Sequence, residues 1–170
     1  MGRRSTASIA AAAGEPADPL FVVLESLRQI NQELRIAGRA TEQRLGVSSA
    51  QLFVLETLSN ASAESLNELA ARTFTRHSSV SVVVSRLVDA GLVERRPSAD
   101  DGRRVLLGLT RAGRALVRTA PESAQLRLVE SARRLSATRL AQLAGGLSAL
   151  RRALLGMSGV ETAVVARATR

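Results

Sequence analysis

The sequence contains no cysteine, no lysine, no tryptophan and no tyrosine, and His77 is its only histidine. Without cysteine there are no disulfides, thiolate metal sites, thiol redox switches or cysteine nucleophiles. A metal site would have to rest mostly on carboxylates. A hydrolytic triad needs a histidine, and His77, in its Ser/Arg context, lacks a convincing nucleophile-plus-orienter pair. There is no glycine-rich phosphate loop, and adjacent carboxylates occur only in the turn at Asp100 and Asp101. These absences argue against an enzyme, and no cofactor or metal is expected. No apolar run approaches the ~20 residues that span a bilayer, so no membrane partner is expected. Aromatics are 2% of the chain, so a core must be built from Leu, Val, Ala and Ile.

What is present is positive charge. The 170 residues carry a formal net charge of +9, and all 24 basic side chains are arginine. Arginine supplies forked donors suited to phosphates and guanine edges. An excess of this sign favours a polyanionic partner without identifying it. The charge is also uneven. From Ser65 to Arg118 there are ten arginines against five carboxylates, namely Glu68, Asp89, Glu94, Asp100 and Asp101. Apolar residues make up 45%, enough for one packed domain with extensions.

Residues 1–17 lack apolar periodicity and read as a disordered tail. Their Arg/Ala/Ser bias and the Gly2/Thr6 pair match organelle-targeting and myristoylation patterns only loosely, and their apolar stretch is too short for a secretory signal. Asp18 and Pro19 then open a long amphipathic helix through Leu20, Val23, Leu24, Leu27, Ile30 and Leu34 toward Gly46. It is about twice the ~11–12 residues of an average helix, so it should pack on more than its own neighbours.

A helix opening at Ser48 or Ser49 buries Leu52, Leu55 and Leu58. After a polar break, Ser65 and Glu68 form a Ser-x-x-Glu capping box for a short helix. Phe74 and Thr75 make a turn, Thr75 is placed to cap the next helix, and Gly91 ends that helix after Ala90. Val93 to Arg96 and Arg104 to Leu109 are strand-like, joined by a turn at Pro97 to Gly102. Thr110 caps a third helical region that Pro121 should divide. A last helix from Ser136 carries Leu140, Leu143, Leu147, Leu150, Leu154 and Leu155, and Gly156 and Gly159 are expected to close it.

The helix from Arg76 to Ala90 has two unlike faces. Val80, Val83, Val84 and Leu87 form a buried row at three- and four-residue spacing. The opposite row is Ser78, Ser81, Val82, Ser85 and Arg86. Small side chains let a helix approach the major-groove floor, serines bond phosphates or base edges, and a valine can meet a thymine methyl. Arg76, His77, Ser78 and Ser79 lie at the helix N-terminus, where the dipole and free amides favour phosphate. The bland alternative is a solvated face. In the following hairpin, Arg95, Arg96, Arg103 and Arg104 flank the turn, more cations than solubility requires. An arginine at a hairpin tip can enter a narrow minor groove, and Asp101 is placed to hold Arg103 by a charge-assisted bond.

These pieces together resemble the MarR family of winged helix-turn-helix transcriptional regulators. The resemblance rests on Glu68-Leu69-Ala70, Ser79-Val80-Ser81 and the run from Arg86 to Arg95. It continues through Asp101-Gly102-Arg103, similar to the family's Asp-x-Arg wing motif, and Leu109-Thr110-Arg111-Ala112-Gly113. It covers roughly Leu20 to Leu155. It implies a mainly α fold with a small β-hairpin wing: a winged helix-turn-helix flanked by long N- and C-terminal dimerisation helices. The expected division is a tail at 1–17, a dimerisation helix at 18–47, the DNA-binding domain at 48–110, dimerisation helices at 111–156 and a tail at 157–170.

The resemblance further implies a triangular homodimer that binds a pseudo-palindromic operator on double-stranded DNA, usually as a repressor, in the cytoplasm of a bacterium or archaeon and on the nucleoid when bound. DNA-binding residues would be Arg76, His77, Ser78, Ser79, Ser81, Val82, Ser85, Arg86, Arg103 and Arg104, with Asp101 supporting the wing. In many relatives an anionic or lipophilic small molecule lowers DNA affinity; no effector-binding residue is assigned here. Two departures stand out. Val82 occupies a position that is often basic, and the missing Trp and Tyr remove aromatics that often line effector pockets. The competing reading is a winged-helix module that binds protein rather than specific DNA.

Overall fold

The computed structural model describes residues 18–60, 65–98 and 104–168. The expected tail at 1–17 lies outside them, as do Asp100, Asp101 and Arg103. The described residues fall into two compact units, one up to Ala124 and one from Gln125 onward.

The first unit opens with α1, Pro19–Leu45. Asp18 accepts the Leu20 amide at 3.0 Å, and Gly46 terminates the helix in the left-handed region at φ 69°. Next comes α2, Ser49–Ser59, capped by Ser48 in a reciprocal capping box with Gln51. Then follow α3, Leu66–Arg72, and α4, His77–Asp89. The strands β1, Val93–Pro97, and β2, Val105–Leu109, pair antiparallel with Val93 opposite Leu109 and Pro97 opposite Val105. Helix α5, Arg111–Thr119, completes the unit.

Helix α2 is the hub. It touches α1, α3, α4, α5 and β2, so every side chain from Leu52 to Leu58 is buried. The expected row of Leu52, Leu55 and Leu58 is therefore too narrow: a helix surrounded on all sides has no outer face to mark with polar residues. The core joins Val54, Leu55 and Leu58 to Leu69 of α3, to Val80, Val84 and Leu87 of α4, and to Val93, Leu107 and Leu109 of the hairpin. Val83 only flanks it. Thr57 and Thr73 are buried without orphan hydroxyls, since each donates to the carbonyl four residues back at 2.8 Å.

The corner after the hairpin is tightly built. The Thr110 amide donates to the Leu92 carbonyl at 3.1 Å, and its hydroxyl donates to the Gly91 carbonyl at 2.7 Å while accepting from the Gly113 amide at 3.1 Å. Gly113 is buried so close to the Leu92 backbone that an added Cβ would lie 2.1 Å from the carbonyl oxygen. This close approach accounts for the glycine in the Leu-Thr-Arg-Ala-Gly run. Leu116 and Val117 then lay α5 on the core. Helix α5 thus packs on both the hairpin and α2.

Pro121 separates α5 from α6, Ala124–Arg133, as its missing donor demands. Across that break lies the one buried carboxylate among the described residues. Glu56 of α2 accepts the Ser123 amide at 2.7 Å and a very short bond from the Ser123 hydroxyl. Desolvation by burial raises the Glu56 pKa above its ordinary value; the two Ser123 bonds oppose the rise, and the Glu122 charge adds to it.

The second unit contains the rest of α6 and the long α7, Ala137–Ala168. Ser136 accepts the Arg139 amide at 3.3 Å, as an N-cap does. The expected helix end at Gly156 and Gly159 is corrected here, because α7 runs through both to Ala168. A glycine inside a helix weakens it by only about 1 kcal/mol, and no proline follows to stop it.

Two outcomes follow from this packing. Gly113→Ala forces the α5 backbone away from Leu92 and should lower unfolding free energy by about 1–3 kcal/mol in urea denaturation. Glu56 binds its proton more tightly when folded than when unfolded. Stability should therefore fall as pH rises from the ordinary carboxylate range through the raised Glu56 value. Glu56→Gln should flatten that part of the stability–pH curve; an unchanged slope would contradict the assignment.

Candidate nucleic-acid interface

The helix-turn-helix is formed by α3, a tight turn at Thr73 to Arg76, and α4. Ser65 and Glu68 make the expected reciprocal capping box at the start of α3. The turn itself is a Schellman arrangement: the Phe74 amide donates to Ala71 at 3.2 Å and the Thr75 amide to Ala70 at 3.0 Å. Phe74 sits in the left-handed region at φ 52°, the only non-glycine among the described residues to do so.

The expected cap at Thr75 is displaced by one residue. Arg76 occupies the N-cap of α4 and supplies no side-chain bond, while the Thr75 hydroxyl donates back to the Thr73 carbonyl at 2.9 Å. The turn uses Thr75 to close itself, which removes it from the helix start.

Buried Val80, Val84 and Leu87 fix the rotation of α4. That rotation exposes Arg76, His77, Ser78, Ser79, Val82, Ser85 and Arg86, with Val82 54% accessible. Ser81 departs from the expected outer row. It is half-buried and, with Leu66, Val84, Arg95, Val105 and Leu107, lines a pocket of about 300 Å³ between the α3–α4 pair and the hairpin. The sequence signal was ambiguous because Ser81 sits at the shoulder between the two helical faces. Arg95 and Val105 meet there because β1 and β2 pair in a register that puts Arg95 opposite Leu107. Val105 shares its strand face with Leu107 and Leu109 yet stays exposed, since the hairpin extends past the core.

Of the wing residues, Arg104 is described and exposed. Its Nη2 lies 3.4 Å from Glu68 Oε1, while Glu68 Oε2 serves the Ser65 cap. Glu68 is held below the ordinary carboxylate range by its bonds from the Ser65 amide and hydroxyl and by the nearby Arg104. Arg96 pairs with Glu94 at 2.6 Å on β1. The described residues contain no cluster of three or more potential metal ligands, and no described helix is long and apolar enough to cross a membrane.

A short helix, a tight turn, a second helix with an exposed outer row and a two-stranded hairpin together define a winged helix-turn-helix. A sequence model of the MarR family matches residues 45–104. The chain is 38% identical over 105 residues to an uncharacterized HTH-type transcriptional regulator of Mycobacterium bovis, covering 62% of this chain and 71% of that protein. It is 40% identical over 84 residues to a like-named regulator of Mycobacterium leprae, covering 49% of this chain and 59% of that protein. The fold is shared with a mutant MarR of E. coli solved in complex with operator DNA, at TM-score 0.55 and 24% identity over 81% of this chain and 99% of that one. The chain belongs to the MarR family of transcriptional regulators.

Proposed function

We propose that the protein is a homodimeric repressor that reads a pseudo-palindromic operator through α4. The observation that carries this is the split of α4. One side locks into the core through Val80, Val84 and Leu87. The other leaves Ser78, Val82, Ser85 and Arg86 exposed beside a cationic helix start. Small side chains admit close approach to base edges, and Arg86 is the longest donor on that row. Val82 replaces a charge with a methyl-bearing surface, which suits a thymine methyl better than a guanine. Arg104 at the wing base, with Asp101 and Arg103 just before it in sequence, supplies the neighbouring backbone or minor-groove contact.

Dimerisation through the end helices rests on exposed apolar surface. Leu20, Phe21, Val22, Val23 and Leu24 at the start of α1 are all at least 43% accessible. Leu140, Leu143, Leu147, Leu150, Leu154 and Leu155 of α7 are likewise exposed. Faces this apolar call for a protein partner, and a twofold copy would set two readers one helical turn, ~10 bp, apart. In a shift assay at fixed salt, a duplex from the gene's own upstream region should bind two chains per site. Arg86→Ala should weaken that binding by about 1–3 kcal/mol if it makes a well-formed base contact. Equal binding of scrambled duplexes would favour the protein-interaction module instead.

Effector control is assigned to the pocket behind α4. Leu66, Val84, Val105 and Leu107 give apolar walls, and Arg95 and the Ser81 hydroxyl give one cation and one donor. That lining suits a small amphipathic anion wedged between reader and wing, and it acts only if it binds the DNA-competent state less well. Benzoate, a simple probe of this class, should lower operator affinity of the wild type and leave Ser81→Leu, whose side chain fills the pocket, unaffected. Equal response of the two proteins would remove the pocket from the switch.

A further inference from the structure

Helices α3 and α4 end in the same chain geometry with different residues. At the end of α4 the Gly91 amide donates to Val88 and the Leu92 amide to Leu87, both at 2.9 Å, with Gly91 at φ 68°. At the end of α3 the identical pair of bonds is made by Phe74 and Thr75, with Phe74 at φ 52°. Glycine is the default at this position because a Cβ strains the left-handed backbone. A phenylalanine there is unfavourable for the fold, and its ring returns nothing to the core: Phe74 is 71% accessible, the most exposed large apolar residue among those described. It is one of only three phenylalanines in a chain with no other aromatic type.

Its setting is specific. Residues 74–79 are exposed without interruption, so the ring leads directly into Arg76, His77, Ser78 and Ser79. Arg76 breaks a second local rule, standing at an N-cap where it makes no capping bond. Two successive departures from what folding favours, both on the leading edge of α4, mark a surface kept for something outside the chain. The charges beside the ring select a polyanion with apolar faces between its phosphates, and the deoxyribose edge of a DNA groove has that composition.

We propose that Phe74 is a DNA-contacting residue that lays its ring on the sugar–phosphate edge of the groove entered by α4, while Arg76 meets the adjoining phosphate. This rests on the DNA-reading role of α4. The contact is apolar and independent of base sequence, so it adds affinity without releasing counterions.

The test uses the full chain with Phe74→Gly, which relieves the backbone, and Phe74→Asn, which tolerates the left-handed region but lacks the ring. Phe74→Gly should raise the unfolding midpoint. Both variants should bind operator and random duplex about five- to tenfold more weakly than wild type. The slope of log affinity against log salt should not change, whereas Arg76→Ala should make it shallower. Opposite signs for stability and affinity exclude misfolding as the cause. Wild-type DNA affinity in both Phe74 variants would overturn the proposal and turn the ring toward a protein partner. Failure of the wild type itself to bind any duplex at low salt would instead overturn the DNA-reading role, and this contact with it.

Discussion

The Leu92 carbonyl is the point on which the reader is assembled. It accepts the Thr110 amide at 3.1 Å, and the α5 backbone at Gly113 presses against it. That carbonyl lies just past the end of α4 and just before β1. Fixing it closes the hairpin at its base, where Val93 stands opposite Leu109, and seats α5 over the same junction. The Thr110 hydroxyl extends the weld by joining the Gly91 carbonyl to the Gly113 amide. Wing, reader helix and following helix therefore share one anchor, and a shift in any of them is felt by the other two.

The second anchor is α2. Because it is buried on all sides, α3, α4, α5 and β2 take their positions from one rod. Glu56 brings a carboxylate into that rod and spends both oxygens on Ser123, at the break between α5 and α6. A buried acid so placed fixes one geometry at the break because leaving either partner unsatisfied is costly. The pocket beside Ser81 lies between these anchored parts, where the hairpin rises off the core. A cleft there can change the wing without disturbing α2.

Much of this was legible in the sequence because it is locally encoded. Asp18-Pro19, the Ser65/Glu68 pair, Gly91, Thr110 and Pro121 each act within a turn or two, through bonds that the residue type alone foretells. The three- and four-residue rhythm of Val80, Val84 and Leu87 likewise gave the buried side of α4. What escaped was set by tertiary surroundings. The burial of Leu52 to Leu58 in α2 depends on five neighbours, the half-burial of Ser81 on the hairpin register, and the close approach behind Gly113 on the Leu92 backbone, distant in sequence. The run of α7 past two glycines escaped for the opposite reason. Glycine alone does not stop a helix; without a left-handed turn it is only a weak helix former.

The distribution of local conflict separates folding from function in this chain. Through most of the first unit the choices agree: Asp18, Ser48, Ser65 and Thr110 cap their helices, buried threonines bond their own helices, and Gly46, Gly91 and Gly113 stand where a positive φ or a close backbone demands glycine. Conflicts gather at Phe74 and Arg76, a strained ring and an idle cap, and in the bare apolar rows of α1 and α7. A monomer gains nothing from either set. If the α1 and α7 rows are covered by a second copy and the α4 edge by a duplex, every conflict is resolved at once, and by the two partners that a twofold operator would require together. Association and recognition then draw on one economy of exposed surface, with the Leu92 corner holding the reader rigid enough for the spacing between copies to matter.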